Sequence, residues 1–287
     1  MKKVTLTSGL VALALFSVSA ANAAPYIVNV SLDDIDAVFG SVVSSVDSEL
    51  IKIPVVPGQN VFEFTDSNGN AATVTVTRPD GVTPPTLATG YSDYGYTWGN
   101  GKYTSNGMDL SGSAWNINPY WSYGDPIPGF NSGLTFTFSS PVNAFGFEVG
   151  DWATCCFDVT RPDNIVKAYG VPATGSGLWI AFDGGAATLP ANALAVTDNP
   201  GYEAYQSTIN FIGAIDSSGT FTSITFFGDG FGEVLAVGGM MMFGLVPLGS
   251  VDEDGAIPGI PEPETWAMLL AGLGIVGAAA KRRRRQG

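Results

Sequence analysis

The chain is composed of short, strand-length apolar runs separated by glycine, proline and aspartate. The clearest runs are LTFTFSS at 134–140, VNAFGFEVG at 142–150, LWIAFDG at 178–184 and FTSITFFGDG at 221–230. Almost no stretch repeats its apolar residues with the period of a helix, whereas short runs bounded by turn residues are typical of antiparallel sheets. The sequence therefore predicts an all-β fold, an antiparallel, jelly-roll-like β-sandwich.

Residues 61–78, VFEFTDSNGNAATVTVTR, predict a β-hairpin at the end of an N-terminal β region that spans 24–78. Two alternating runs flank residues 66–70, DSNGN, whose composition favours a tight turn. The hairpin resembles the closing strands of bacterial immunoglobulin-like repeats. Residues 79–86 are rich in proline and predict a linker to a separate β-sandwich domain at 87–250.

The amino end has the three parts of a secretory signal peptide. Lys2 and Lys3 form a positive start, residues 10–18 form a short apolar stretch, and Ala21-Asn22-Ala23 forms an A-x-A cleavage site. A retained membrane anchor is the alternative, but the apolar stretch is too short to span a bilayer. We therefore expect the secretion machinery to export the chain and signal peptidase to remove residues 1–23.

Charge is distributed very unevenly along the chain. The formal net charge is −14, and of the 12 lysines and arginines two open the chain and five close it, which leaves five for everything between. The 26 acidic residues therefore make the body strongly anionic. This distribution excludes nucleic acid as a partner, because phosphate contacts need clustered lysine and arginine.

The two cysteines, Cys155 and Cys156, are adjacent in the sequence. Export would permit a disulfide, although adjacent cysteines can close only a strained ring. Three arrangements fit: an intramolecular Cys155–Cys156 disulfide, bridges to other chains, and two thiols alternating across a strand. We predict the first.

Histidine is absent from the sequence, which excludes Ser-His-Asp and Cys-His catalysis. A glycoside hydrolase needs only two carboxylates and remains an alternative. The eligible acids lie beside glycines near strand ends, where carboxylates commonly form turns; they are Glu148, Asp151, Asp183, Asp229 and Glu233. Because Ca²⁺ binds carboxylate and carbonyl oxygens, four of these acids also form a candidate calcium site: Glu148, Asp151, Asp229 and Glu233. We expect no other cofactor.

Residues 91–130 are rich in tyrosine and tryptophan spaced by glycine, asparagine and serine. Aromatic faces stack well on sugar rings, so this region suggests carbohydrate binding through Tyr96, Trp98, Trp115 and Trp121. The alternative is that these side chains fill the core of the sandwich or interleave its loops.

The carboxyl end combines a spacer, a Pro-Glu-Pro triplet, an apolar stretch and a run of cations. Residues 251–260 are acidic and contain proline, and Pro261-Glu262-Pro263 follows. Residues 266–280 predict a single short transmembrane helix of about 22 Å, against a hydrocarbon core of ~30 Å. A basic stop, Lys281, Arg282, Arg283, Arg284 and Arg285, would keep the terminus cytoplasmic.

Residues 261–287 are similar to a PEP-CTERM sorting signal, a segment also labelled the ice-binding protein C-terminal domain. The resemblance rests on Pro261-Glu262-Pro263, the stretch WAMLLAGLG at 266–274 and the arginine cluster. It implies export by a Gram-negative bacterium that makes extracellular polysaccharide. It also implies recognition of Pro-Glu-Pro by exosortase, a membrane-embedded transpeptidase. The tail would then anchor the chain in the membrane only transiently.

These observations favour a non-enzymatic, exosortase-sorted protein of the cell surface or extracellular matrix that associates with extracellular polysaccharide, as in a biofilm. Two alternatives remain: a secreted glycoside hydrolase that uses a carboxylate pair, and a structural matrix protein that binds no sugar.

Overall fold

The structure is a computed structural model that describes only part of the chain. The described residues are 25–32, 35, 39–45, 49–85, 87, 92–93, 96–99, 101–105, 108–117, 133–150, 163, 166–167, 173–174, 176–185, 188–193, 209–228 and 235–251. They form antiparallel sheets with very little helix, so the all-β prediction is confirmed.

In the part of the chain that the structure describes, sixteen strands and one short helix have defined bounds. They are β1 (Tyr26–Ser31), α1 (Ser41–Ser45), β2 (Ile51–Pro54), β3 (Val61–Thr65), β4 (Ala71–Thr77), β5 (Ser92–Asp93), β6 (Tyr96–Gly99), β7 (Lys102–Ser105), β8 (Met108–Asp109), β9 (Ala114–Ile117), β10 (Leu134–Val142), β11 (Ala144–Gly150), β12 (Ser176–Phe182), β13 (Thr188–Ala193), β14 (Ile209–Ile215), β15 (Phe221–Gly228) and β16 (Leu235–Gly244).

The strands form two six-stranded sheets and a small third one. Sheet A has the order β1-β14-β11-β16-β2, with β9 also paired to β16. Sheet B has the order β13-β12-β15-β10-β4-β3, and sheet C has the order β5-β6-β7-β8. The last eight strands, β9 to β16, can be numbered one to eight in chain order. They then lie in the order 1-8-3-6 in sheet A and 2-7-4-5 in sheet B. This is the order of a jelly roll, in which two Greek keys interlock.

The N-terminal β region extends both sheets of the jelly roll. β1 pairs with β14 and β2 with β16, while the hairpin of β3 and β4 adds to β10. Strands on both sides of residues 79–86 therefore share the same two sheets. The expected division into an immunoglobulin-like unit at 24–78, a linker and a separate sandwich at 87–250 is corrected accordingly.

The hairpin itself forms as the sequence predicts. The Asp66 carboxylate accepts hydrogen bonds from the backbone N–H groups of Asn68 and Asn70, both at 2.9 Å. Gly69 adopts φ 80° in the turn, a conformation that favours glycine. Local turn chemistry therefore fixes the register between β3 and β4.

Aromatic side chains from both sheets form the core between them. Phe136 of sheet B lies 4.5 Å from Phe145 and 5.4 Å from Phe147 of sheet A, measured between ring centroids. All three side chains are fully buried. Rings at these separations make favourable contacts beyond their burial, so this cluster holds the two sheets face to face.

A second apolar cluster covers the outer face of sheet A. Phe39 lies just before α1 and Val43 lies within it. Both pack on this face with Phe211 and Met242. The rings of Phe39 and Phe211 are 4.9 Å apart. Because both faces of sheet A are covered, every residue of β11 is buried. Residues 26–60 therefore contribute two strands and a short helix.

Within the described residues, no helix is long and apolar enough to cross a membrane. The predicted transmembrane segment, 266–280, lies outside those residues, as does the predicted signal peptide, 1–23.

Candidate functional site at a buried glutamate

Glu148 lies where the pairing of β11 with β16 is interrupted by a bulge. Phe147 pairs with Met241 and Glu148 pairs with Gly238, so Gly239 and Met240 are extra residues on β16. Gly239 has φ 49°, a left-handed conformation that favours glycine. A Cβ atom at this position would also collide with Oε2 of Glu148. Glycine at 239 therefore makes room for the carboxylate.

A ring of three backbone hydrogen bonds fixes this bulge. The N–H of Val55 donates to the carbonyl of Gly239 at 2.8 Å. The N–H of Gly239 in turn donates to the carbonyl of Ser113 at 3.0 Å. The N–H of Ser113 completes the ring by donating to the carbonyl of Val55 at 2.8 Å. The ring joins the end of β2 and the start of β9, which lie end to end along the same edge of β16.

The Glu148 carboxylate is held by uncharged donors. Its side chain is only 2% exposed, and its Oε2 accepts a hydrogen bond of 2.7 Å from the backbone N–H of Ser111. The Ser111 hydroxyl and the backbone N–H of Met240 donate to the same carboxylate. Burial raises the pKa of Glu148 above its ordinary value, and these three hydrogen bonds oppose the rise.

A cavity of about 260 Å³ opens beside Glu148 on the outer face of sheet A. Most of its walls are apolar, and Lys52, which is exposed, is its cationic lining residue. The lining residues are Leu32, Ile35, Lys52, Ser111, Glu148, Met240 and Met242. The described lining therefore combines four apolar side chains with one buried carboxylate, one serine and one exposed lysine.

The structure does not bring Glu148 and Asp183 together as a carboxylate pair. Asp183 lies in the turn after β12 in sheet B, whereas Glu148 points to the face of sheet A that lies away from sheet B. Asp183 is exposed, and its Oδ1 accepts hydrogen bonds from the backbone N–H groups of Thr222, at 2.9 Å, and Ser223, at 2.8 Å. Asp183 is thus a turn residue.

The described surroundings of Glu148 differ from those of a calcium ligand. Ca²⁺ takes six to eight oxygens, and among the described residues that line this cavity only Glu148 and Ser111 have side-chain oxygens. No group of three histidine, cysteine, aspartate or glutamate side chains is placed to hold a metal in the described ranges. The other candidate calcium ligands, Asp151, Asp229 and Glu233, lie outside those ranges.

Trp115 is a core residue, which corrects its assignment to a sugar-binding surface. It is 1% exposed, and its ring lies 6.1 Å from that of Phe62 and 6.3 Å from that of Phe136. A ring enclosed in this way has no face available to a sugar. Tyr96 and Trp98 lie in β6 of sheet C, where Trp98 pairs with Tyr103 of β7.

Other candidate residues fall outside the part of the chain that the structure describes. They are Trp121, the cysteines Cys155 and Cys156, the triplet Pro261, Glu262 and Pro263, and the basic stop at 281–285. Their assignments remain predictions.

Sequence reasoning missed most residues around Glu148. Lys52, Ser111 and Met240 come from three different segments and meet only through strand pairing. The one local signal was Gly238-Gly239 within the strand-like run VLAVGGMMMFG, because paired glycines in a strand often mark a bulge.

Comparison with known proteins identifies the carboxyl end of the chain. Residues 259–285 match the PEP-CTERM protein-sorting motif. This motif implies export, cell-surface sorting and processing by exosortase, and the predicted resemblance is confirmed. No curated protein and no solved structure matches the chain.

Proposed function

We propose that this exported, exosortase-sorted chain is a non-enzymatic protein of the cell surface or extracellular matrix whose β-sandwich associates with extracellular polysaccharide. The observation that carries the proposal is the sorting motif at 259–285, joined to an all-β body. The family resemblance connects such signals with bacteria that make extracellular polysaccharide.

The sorting steps follow from the order of the segments. Signal peptidase removes residues 1–23, and the short helix at 266–280 then holds the chain in the membrane with Lys281 to Arg285 in the cytoplasm. The prolines at 261 and 263 keep the recognition segment extended, because proline lacks a backbone donor and restricts the residue before it. Exosortase then cleaves the chain near this triplet and releases the body from the inner membrane.

Sheet C is the surface that we assign to polysaccharide. β6 carries Tyr96 and Trp98, and the register places Trp98 opposite Tyr103 of β7. We assign these three aromatic residues, which lie on two adjacent short strands, to the sugar-binding surface, and we leave out Trp115 because it belongs to the core. The anionic body favours a neutral or cationic glycan, because it repels an anionic one.

Glycan-array binding together with a hydrolysis assay tests this proposal. We expect the protein to bind at least one polysaccharide without turnover, and Trp98→Ala to weaken binding about tenfold, consistent with the loss of one stacking contact. Leu248→Ala is the matched control, because Leu248 is 67% exposed and belongs to the segment after β16. Turnover would identify a glycoside hydrolase instead. A lack of binding to any glycan would favour a purely structural matrix protein.

A further inference from the structure

The cavity beside Glu148 contains a buried carboxyl group that has no charged hydrogen-bond partner among the described residues. Ser111 and Met240 donate all the hydrogen bonds described above, and both residues are uncharged. An ionised carboxylate in an apolar setting is costly unless a cation accompanies it. A positive group placed inside the cavity would therefore interact strongly with Glu148.

The shape and lining of the cavity limit the size of its occupant. Its volume of about 260 Å³ lies just below the ~300–1,000 Å³ of pockets that hold drug-sized ligands. Leu32 and Ile35 come from the segment that follows β1, and Met240 and Met242 come from β16. These four side chains offer apolar contact on two sides, and thioether side chains adapt readily to different shapes.

We propose that this cavity binds a small organic cation, an ammonium group carried on a compact apolar body. The ammonium group would donate hydrogen bonds to Glu148, and the apolar body would contact Met240, Met242 and the two aliphatic residues. A bare metal cation fits less well, because among the described lining residues only Glu148 and Ser111 have side-chain oxygens. Lys52 also lines the cavity, but it is exposed to solvent. Because solvent screens an exposed charge more than a buried one, its repulsion of a bound ammonium group is weaker than the attraction by Glu148.

Three probes of similar size separate the charge requirement from simple apolar filling. They are 3-methylbutylamine, 3-methylbutan-1-ol and 3-methylbutanoate, each titrated calorimetrically into the protein released by its host. We expect the amine to bind at least about tenfold more tightly than the alcohol, because hydrogen bonds that involve charged groups are stronger than those between neutral groups. We expect no binding of the carboxylate.

Two variants and one control locate the binding. Glu148→Gln should weaken amine binding about tenfold and leave alcohol binding unchanged. Leu32→Trp should abolish binding of both by filling the cavity while leaving the carboxylate in place, so it tests the site if the first variant does not fold. Glu63→Gln replaces an exposed glutamate of β3 and should change nothing.

Several results would overturn the proposal. Equal affinity for amine and alcohol would show that charge has no role. Unchanged amine binding in Glu148→Gln or in Leu32→Trp would place the ligand elsewhere. Absence of amine binding would leave Glu148 as a support for the bulge alone.

Discussion

Glu148 and Gly239 depend on each other at the bulge of β16. The carboxylate accepts hydrogen bonds from Ser111 and Met240, and it occupies the space that a side chain at 239 would fill. A strand pattern alone does not predict this arrangement, because the two residues are distant in sequence. The bulge therefore serves to accommodate a buried acid.

We expect the stability of the protein to fall as pH rises through the titration of Glu148. In the unfolded chain this carboxyl loses its proton near the ordinary pKa of 4.5, whereas burial raises its pKa in the folded protein. Between these two values the folded state holds more protons, so a rise in pH favours unfolding. Urea unfolding of the wild type and of Glu148→Gln, compared from acidic to neutral pH, measures this effect.

The glutamine variant should lose this part of the pH dependence, while the exposed-site control Glu63→Gln should retain it. Identical pH profiles for the wild type and Glu148→Gln would contradict the assignment of the raised pKa to burial of this group.

Gly239→Ala should destabilise the protein more than an equivalent change in an open turn. An alanine would be strained in the left-handed backbone conformation of this position, which costs about 1–2 kcal/mol. Its methyl group would also collide with Oε2 of Glu148. Gly69→Ala is the matched control, because Gly69 also has positive φ but has no atom near the added Cβ. Denaturant unfolding should therefore give a larger loss at 239, which Glu148→Ala in the same chain should partly restore. Equal losses at 239 and 69 would show that the carboxylate does not restrict this position.

At the scale of single elements, the sequence predicts best those strands whose pairing is set locally. The hairpin of β3 and β4 follows from the turn at 66–70. The run at 134–140 lies within β10, and the run at 142–150 covers all of β11. β1 and β2 are different, because their partners β14 and β16 lie far along the chain. Nothing near residues 26–54 specifies those partners.

The same limit explains the misassigned tryptophan and the missed cavity. Trp115 lies in a region rich in aromatic residues, and only the pairing of β9 with β16 reveals that it faces the core. The cavity needs β11, β16 and the segment after β1 together. Burial and long-range pairing are therefore the properties that the local pattern leaves undetermined.

The four N-terminal strands should be necessary for folding of the sandwich. Val74 and Val76 of β4 are fully buried, and Phe62 of β3 is 2% exposed. A fragment of residues 87–250 would expose the core that these side chains cover, so we expect it to lack a cooperative unfolding transition. Residues 25–251 retain every described strand and are the matched control. Cooperative unfolding of the shorter fragment, measured by circular dichroism and tryptophan fluorescence, would instead support two independent domains.

At the scale of the whole molecule, the folded body and the sorting tail have separate roles. The folded body extends to Val251, whose carbonyl accepts a hydrogen bond of 2.6 Å from the Ser217 hydroxyl. Nine residues then separate Val251 from Pro261, enough for about 30 Å of extended chain. The motif can therefore reach a membrane enzyme without unfolding of the sandwich.

Glu262→Ala should prevent processing in a host that contains exosortase. The substitution removes the one charge of the Pro-Glu-Pro triplet, so the uncleaved chain should accumulate in the inner membrane. Glu264→Ala removes an acid just outside the triplet and is the matched control, which should be processed normally.

Replacement of Arg282 to Arg285 by serine should mislocalise the chain, because transfer of each cation into the membrane costs ~2.5–3.5 kcal/mol. Fractionation and immunoblotting measure these outcomes. Normal processing of Glu262→Ala would remove Glu262 from the recognition signal.

Intact-mass spectrometry of wild-type protein recovered from such a host tests the central claim of exosortase sorting most directly. Export and sorting predict a mature chain that lacks both residues 1–23 and residues 266–287, found outside the inner membrane. A mature chain that still carries residues 266–287 would contradict the claim.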